Sequence, residues 1–143
     1  MKDTELAWAA GIVDGEGCIY IARTLDKKRG YESYQLYLRV VMAHAETIAR
    51  LHSLFGVGTL HTERRPNPKH SIIYGWNCGS QSAKIVSPLV RPFLFTKAEQ
   101  ADIALTFSAL PRASVKVPDD RIERQRLYWL LKECKGNAAR LPQ

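Results

Sequence analysis

The residues best suited to chemistry are two carboxylates that flank a glycine near the N-terminus. They occur in the run AAGIVDGEG, where Asp14 and Glu16 stand on either side of Gly15. Residues 4–15 are predicted to form a helix that the glycines at 15 and 17 end. The acidic side chains therefore emerge at a helix end and face whatever lies beyond it.

The same helix carries small residues along one side. Ala7, Ala10, Gly11 and Asp14 follow one another at helical spacing. A glycine such as Gly11 inside a helix costs about 1 kcal/mol relative to alanine. Close packing offsets that cost, because small side chains let two helix backbones approach each other. The stripe predicts a tight helix–helix contact.

The rest of the chain predicts the elements that must position this helix end. Alternation and an excess of β-forming residues favour strands over residues 18–25, 34–42, 57–63 and 71–78. Apolar residues at helical spacing favour helices over residues 45–54, 82–91, 97–110 and 120–135.

This order of elements predicts an α+β fold. Two hairpins would build a four-stranded antiparallel sheet with helices on one face, and the other face would then need a partner. We expect a single domain over residues 1–143. It comprises a core of about 4–110, a helical extension of about 111–135 and a loose tail at 136–143.

Composition narrows the class of protein. The chain has 143 residues, of which 45% are hydrophobic and 24% charged, so a globular core needs neither disulfides nor a structural metal. Lys and Arg number 21 against 14 Asp and Glu, a net charge of +7. Such an excess favours a polyanionic partner, nucleic acid first, with a basic enzyme that binds nothing through its charges as the alternative.

Hydropathy and cysteine usage indicate an intracellular, non-membrane protein. No apolar run reaches the roughly 18 residues of a membrane span, and acidic residues interrupt the N-terminal apolar stretch, so we expect no signal peptide. Cys18, Cys78 and Cys134 are odd in number and widely spaced, which argues against a zinc site or a disulfide framework. Each cysteine is expected to be a small buried hydrophobic residue. The absence of a predicted disulfide favours a reducing compartment, either the cytoplasm or an organellar matrix.

Three segments carry a resemblance to a known family. AAGIVDGEG (9–17) resembles the LAGLIDADG motif of homing endonucleases and intron maturases, and most of its positions are identical or conservatively replaced. FGVG (55–58) and RPFLFTKAEQA (91–101) are similar to later segments of that family. The resemblance covers about residues 5–135, and the single copy of the motif implies the homodimeric subclass.

The resemblance implies a saddle-shaped αββαββα fold and an activity. Two copies would pack their motif helices together through Ala7, Ala10, Gly11 and Asp14. Their sheets would form a concave surface over double-stranded DNA. The implied activity is hydrolysis of phosphodiester bonds at a long DNA site. The site would be nearly palindromic, because a dimer with twofold symmetry binds DNA of matching symmetry.

The resemblance also implies the roles of individual site residues. Glu16 matches the acidic metal ligand, the backbone carbonyl of Gly15 matches a second ligand, and Lys97 matches the catalytic lysine. Lys97 would stabilise the pentacoordinate phosphate or order water, although a surface lysine is the alternative. Asp14 is expected to cap or hydrogen-bond at the helix end. Hard oxygen ligands suit Mg²⁺, with Mn²⁺ substituting and Ca²⁺ binding without supporting cleavage.

One position departs from the family pattern. A glutamine that positions water is common at the end of the second strand, where this alignment places Met42, with His44 nearby. The departure favours weak or lost cleavage and leaves DNA binding unaffected.

Side chains on the uncovered sheet face are predicted to contact DNA. The strand residues in this set are Tyr20, Ala22, Thr24, Gln35, Tyr37, Arg39, His61, Glu63, Arg65 and Asn77. Those of the fourth strand depend on its register, since a slip of one residue exchanges the two faces. Arg39 and Arg65 suit guanine, whereas Asn77 or Gln35 suits adenine. The hairpin-tip residues expected to contact phosphate are Lys27, Lys28, Arg29, Arg64 and Lys69.

Two alternative functions share the fold. An RNA maturase would bind intron RNA and assist splicing, and a DNA-binding module would bind its site without cutting it. Glu16 and Lys97 argue against the second alternative, while Met42 favours it.

Overall fold

The computed structural model describes residues 1–64, 66–67, 69, 72–111 and 118–137. The elements are α1 (Asp3–Glu16), β1 (Gly17–Asp26), β2 (Tyr31–Met42), α2 (Ala45–Phe55), β3 (Thr59–Glu63), β4 (Ile73–Gly79), α3 (Ser80–Val90), a 3-10 turn (Arg91–Phe93), α4 (Ala98–Ser108) and α5 (Pro118–Asn137). This order confirms the predicted α+β class.

The strands form one antiparallel sheet in the order β1-β2-β4-β3. The two hairpins therefore join through β2 and β4, which lie at the centre. β3 begins at Thr59, two residues later than predicted, because Gly58 has a φ of 90° and breaks the extended run. A Cβ at Gly58 would also lie 2.5 Å from Nε1 of Trp76, which donates to the Val57 carbonyl at 2.9 Å.

One face of the sheet carries the core. Ile19 and Ile21 pair with Leu38 and Leu36, and the adjacent β4 residues on that face are Trp76 and Cys78. The register of β4 therefore places Asn77 on the opposite face, in agreement with its predicted place in the DNA-contact set. The helix residues that complete this core include Ala9, Val13, Leu51, Val86, Ala104 and Leu127.

The C-terminal helix packs against the edge of the sheet at β1 and leaves part of its apolar surface outside. Leu127 and Leu131 are buried, whereas Leu130 is 39% exposed. Cys18 was predicted buried, but alternation along β1 places it on the exposed face beside inward Ile19. Among the described residues, no helix has the length and apolarity needed to cross a membrane.

Candidate active site and nucleic-acid interface

The last turn of α1 presents Glu16 at the junction with β1. Gly17 follows it as the C-cap, and its N–H donates to the Val13 carbonyl. A Cβ at Gly17 would lie 2.6 Å from that carbonyl oxygen, so only glycine fits this direct change from helix to strand. Gly15 remains helical, contrary to the expectation that it ends the helix. The change of direction leaves the Glu16 side chain exposed.

Asp14 ties the segment before α4 to the end of α1. Its two carboxylate oxygens accept hydrogen bonds from the backbone N–H of Phe95 at 2.8 Å and of Lys97 at 3.0 Å. Both oxygens thus have partners within the chain. The hydrogen bonds position Lys97 next to a helix end that lies about eighty residues earlier in the sequence.

The ammonium group of Lys97 lies at the C-terminus of α1. Its Nζ donates to the backbone carbonyl of Asp14 at 2.6 Å, and the side chain is half-buried. The carbonyls of the last helical turn carry partial negative charge, which favours a cation there. The structure therefore brings together an exposed carboxylate at Glu16 and an anchored cation at Lys97.

The donors at this helix end suit a hard divalent cation. Glu16 offers carboxylate oxygens, and the helical donor for the Gly15 carbonyl would be the N–H of Ile19, which belongs to β1 instead. Mg²⁺ prefers such oxygens and keeps several waters. Within the described part of the chain, no three His, Cys, Asp or Glu residues gather around a common point.

The exposed side of α1 differs from the predicted stripe. Ala7, Gly11 and Gly15 are exposed, but Ala10 is 0% exposed within its own chain and Asp14 is bonded to the segment before α4. Ala10 is therefore unavailable to a second copy, and Asp14 faces its own chain, because core packing fixes how the helix is rotated. A Cβ at Gly11 or Gly15 would meet nothing within 4 Å.

The sheet face opposite the core, called the outward face here, carries the predicted DNA-contact residues. The described members of that set on the strands are Tyr20, Ala22, Thr24, Gln35, Tyr37, Arg39, His61, Glu63 and Asn77. The rings of Tyr20 and Tyr37 stack with centroids 5.1 Å apart, and desolvation raises the pKa of Tyr20. Arg65 lies outside the described residues.

Arg39 and Glu63 form an ion pair across the outward face. Arg39 Nη2 donates to Glu63 Oε1 at 2.8 Å, and Nε2 of His61 lies 3.3 Å from the same nitrogen. Gly75, on the intervening strand β4, makes room for this arrangement. A Cβ there would lie 2.1 Å from the His61 ring.

The two hairpin tips lie at opposite ends of the sheet. In the first tip, Asp26 Oδ1 accepts from the N–H groups of Lys28 at 3.0 Å and Arg29 at 3.2 Å, which leaves the side chains of Lys27, Lys28 and Arg29 exposed. Arg64 and Lys69 are exposed in the second connection.

The C-terminal helix adds Lys135, a cation that the sequence prediction did not include, and its aromatic rings contact Arg23 of β1. The Arg23 guanidinium lies 5.2 Å from the ring centroid of Tyr128 and 5.5 Å from that of Trp129. Lys135 Nζ lies 3.5 Å from Sγ of Cys18 on the outward face. The sequence separation of 117 residues in the last contact explains why no local pattern indicated it.

The end of β2, where the sequence comparison expected a glutamine, carries the apolar side chain of Met42. It is half-buried at the end of β2, opposite Tyr74, and packs against the core. The exposed polar residue beyond it is His44, the N-cap of α2. His44 Nδ1 accepts from the Thr47 N–H at 3.3 Å and lies 2.8 Å from Thr47 Oγ1.

Comparison with known proteins shows the fold. No protein-family model matches the chain, and no curated protein does. The homing endonuclease I-CvuI in complex with its target, solved with Ca, is 21% identical with a TM-score of 0.75, over 92% of this chain and 82% of that chain. The archaeal intron-encoded homing endonuclease I-Vdi141I complexed with DNA is 12% identical with a TM-score of 0.76, over 94% and 86%.

A longer solved chain shows the same likeness. The I-SmaMI LAGLIDADG homing endonuclease bound to cleaved DNA is 15% identical with a TM-score of 0.65, and the match covers 86% of this chain but 42% of that one. More than half of that chain therefore lies outside the match.

Proposed function

We propose that this chain, which has the fold of the LAGLIDADG homing endonucleases, is a site-specific DNA endonuclease that works as a homodimer with a divalent metal ion. The observation that carries the proposal is the convergence of Glu16 and Lys97 at one end of α1, through the hydrogen bonds of Asp14. That end leads directly into the outward face of a sheet in a chain of net charge +7.

Pairing of two copies is supported by what one copy lacks. A single chain supplies one Glu16 carboxylate, whereas cutting both DNA strands requires a site at each scissile phosphate. Ala7, Gly11 and Gly15 form an exposed surface of small residues on α1, suited to close contact with the same helix of a second copy. The neighbouring Phe95 is 91% exposed, which is typical of an apolar contact surface.

The mechanism assigns separate tasks to the residues at the end of α1. Glu16 and the Gly15 carbonyl would hold the cation, Mg²⁺ by preference, with Mn²⁺ as a substitute and Ca²⁺ binding without cleavage. When bound, this ion lowers the pKa of water and offsets charge on the leaving oxygen. Lys97 places its positive charge beside the scissile phosphate, where negative charge grows in the transition state. Asp14 holds Lys97 in place.

The outward face would lie in the major groove of double-stranded DNA. A two-stranded β-ribbon fits this groove, where each base pair presents its own pattern of donors and acceptors. The exposed cations at the hairpin tips suit phosphates, which set the position of the protein on the duplex. Two sheets related by a twofold axis would select a nearly palindromic site.

Cleavage of a randomised duplex library tests this proposal. Wild-type protein is incubated with Mg²⁺ and, separately, with Ca²⁺, and the cut ends are sequenced. We expect one near-palindromic site, cut with Mg²⁺ and bound without cutting with Ca²⁺. Capture of one duplex with no cutting under any divalent ion would instead indicate a DNA-binding module. Failure to enrich any duplex would contradict the proposal and make intron RNA the next ligand to test.

A further inference from the structure

The ion pair on the outward face places an acidic residue where DNA is expected to bind. The side chains of Arg39 and Glu63 are 34% and 52% exposed, so both reach the surface. A carboxylate facing DNA is repelled by phosphates unless it has a partner of its own. A carboxylate at position 63 therefore needs a specific role in DNA binding.

The surroundings of the pair contain hydrogen-bonding groups that have no partner among the described residues. Arg39 lies opposite Asn77 in the register, and Nε of Arg39 and Oδ1 of Asn77 are buried without a hydrogen-bond partner among the described residues. Gly75 has no side chain, so the ring of His61, its neighbour on β3, occupies the space that a Cβ at Gly75 would take. Donors and acceptors of this patch are thus not fully paired within the chain.

The pair has the donor and acceptor pattern that complements a G·C base pair. In the major groove, guanine offers the acceptors O6 and N7, and cytosine offers the N4 amino donor beside them. Arginine binds O6 and N7 with two N–H groups, and glutamate accepts from N4. We propose that Arg39 and Glu63 together read one G·C base pair in each half of the DNA site. This inference rests on the proposed function.

Glu63 has two tasks in this unit. It accepts a hydrogen bond from one N–H of Arg39 Nη2, which limits the rotation of a long flexible side chain and leaves the other Nη2 N–H and those of Nη1 to the base. Its second oxygen remains for the cytosine amino group. Glu63 is therefore a positioning residue for Arg39 as well as a base contact.

The register assigns this base pair to the inner part of each half-site. Arg39 pairs with Cys18, which lies two residues after Glu16. The tip of the first hairpin follows Asp26, eight residue steps beyond Cys18, or about 26 Å at the rise of a strand. The G·C pair thus lies close to the cut, whereas the tip contacts the outer base pairs.

Selection from randomised duplex DNA in the presence of Ca²⁺ tests the proposal, since it measures base preference without requiring cleavage. Wild type should select guanine, with cytosine opposite, at one inner position of each half-site. Arg39→Ala should lower that preference by about tenfold or more. Arg39→Lys should lower the guanine preference with little loss of total affinity. Lysine keeps the charge but lacks the planar guanidinium, whose paired N–H groups bind O6 and N7 together.

The Glu63→Ala variant tests whether Glu63 orients Arg39 or acts only through its negative charge. Its control is Glu133→Ala, which removes the same charge from an exposed position on α5. We expect Glu63→Ala to reduce the guanine preference while affinity for unrelated DNA stays equal or rises, and Glu133→Ala to leave the preference unchanged. Circular dichroism and thermal unfolding establish that each variant is folded.

Different results overturn different claims. Identical base preferences in wild type, Arg39→Ala and Arg39→Lys would overturn the inference, as would a Glu63→Ala protein that changes affinity alone. A wild-type site without G·C at any inner position would overturn it too, with the endonuclease proposal intact. If wild type enriched no duplex at all, the proposed function would fail first.

Discussion

A few polar contacts decide the geometry of the candidate active site. Glu16 and Lys97 are recognisable from the sequence through the segments around them, but Asp14 is what brings Lys97 to the helix end. Asp14 and Lys97 are more than eighty residues apart in the sequence, and no local pattern encodes such a contact. The Arg39–Glu63 pair was equally hidden, because an intervening strand separates the two residues.

Replacing Asp14 with asparagine should loosen this arrangement. The amide side chain would accept one of the two backbone N–H bonds, from Phe95 or Lys97, and would lack the charge that strengthens both. We expect the free energy of unfolding to fall by about 1–3 kcal/mol, together with a loss of cleavage. Urea unfolding measures the first effect. Asp3→Asn, at an exposed position in the first turn of α1, is the control, and equal losses in both variants would contradict this role.

Replacing Lys97 with methionine should separate cleavage from binding. Methionine is unbranched and only one atom shorter than lysine, but it carries no charge, so charge stabilisation at the phosphate disappears. We expect a loss of about 100-fold or more in the single-turnover cleavage rate, with DNA affinity within a few-fold of wild type. A cleavage rate close to that of wild type would show that Lys97 serves only to hold the end of α1.

At the scale of elements, α1 has some features that the sequence predicts and one, its rotation, that the sequence does not. The small residues and the terminal glycines predicted the helix and a change of direction at its end. The rotation of the helix was predicted wrongly, since Ala10 is buried and Gly15 takes its place on the exposed side. Apolar residues occur all around this helix, since the consecutive residues Leu6, Ala7 and Trp8 point in three different directions. With no polar side, periodicity alone cannot orient it.

Two glycines at the junction between α1 and β1 should respond differently to replacement by alanine, as measured by the free energy of unfolding. Gly17→Ala forces a Cβ to within 2.6 Å of the Val13 carbonyl, and we expect a loss of about 1–3 kcal/mol in unfolding free energy. Gly15→Ala meets open space, so the gain in helix propensity should leave stability equal or raise it by up to about 1 kcal/mol. Chemical denaturation of both variants at low protein concentration tests this pair, and a stable Gly17→Ala protein would contradict the proposed constraint.

At the scale of the whole molecule, the fold class followed from the order of two hairpins and their helices. That order predicted a four-stranded antiparallel sheet with one open face, and the observed strand order confirms the sheet. The position of α5 against the β1 edge was not predictable in the same way. It depends on contacts such as Arg23 with Tyr128, which no spacing within either segment reveals.

Pairing of two copies through α1 is testable with one bulky side chain. Gly11→Leu adds volume where the single chain has open space, and it removes a helix-weakening glycine. We expect a folded protein that sediments as a monomer, against a dimer for wild type, and that no longer cuts both strands. Analytical ultracentrifugation gives the answer directly. A Gly11→Leu dimer would place the contact between copies on another surface.

The most direct test of the account compares wild type with Glu16→Gln on the DNA site recovered from the library. The substitution keeps the size of the side chain and removes the charge that would hold the metal ion. We predict cleavage of both strands by wild type with Mg²⁺, no detectable cleavage by Glu16→Gln, and equal affinity of the two proteins for the uncut site. Cleavage by Glu16→Gln at the wild-type rate would contradict the assignment of this helix end as the catalytic centre.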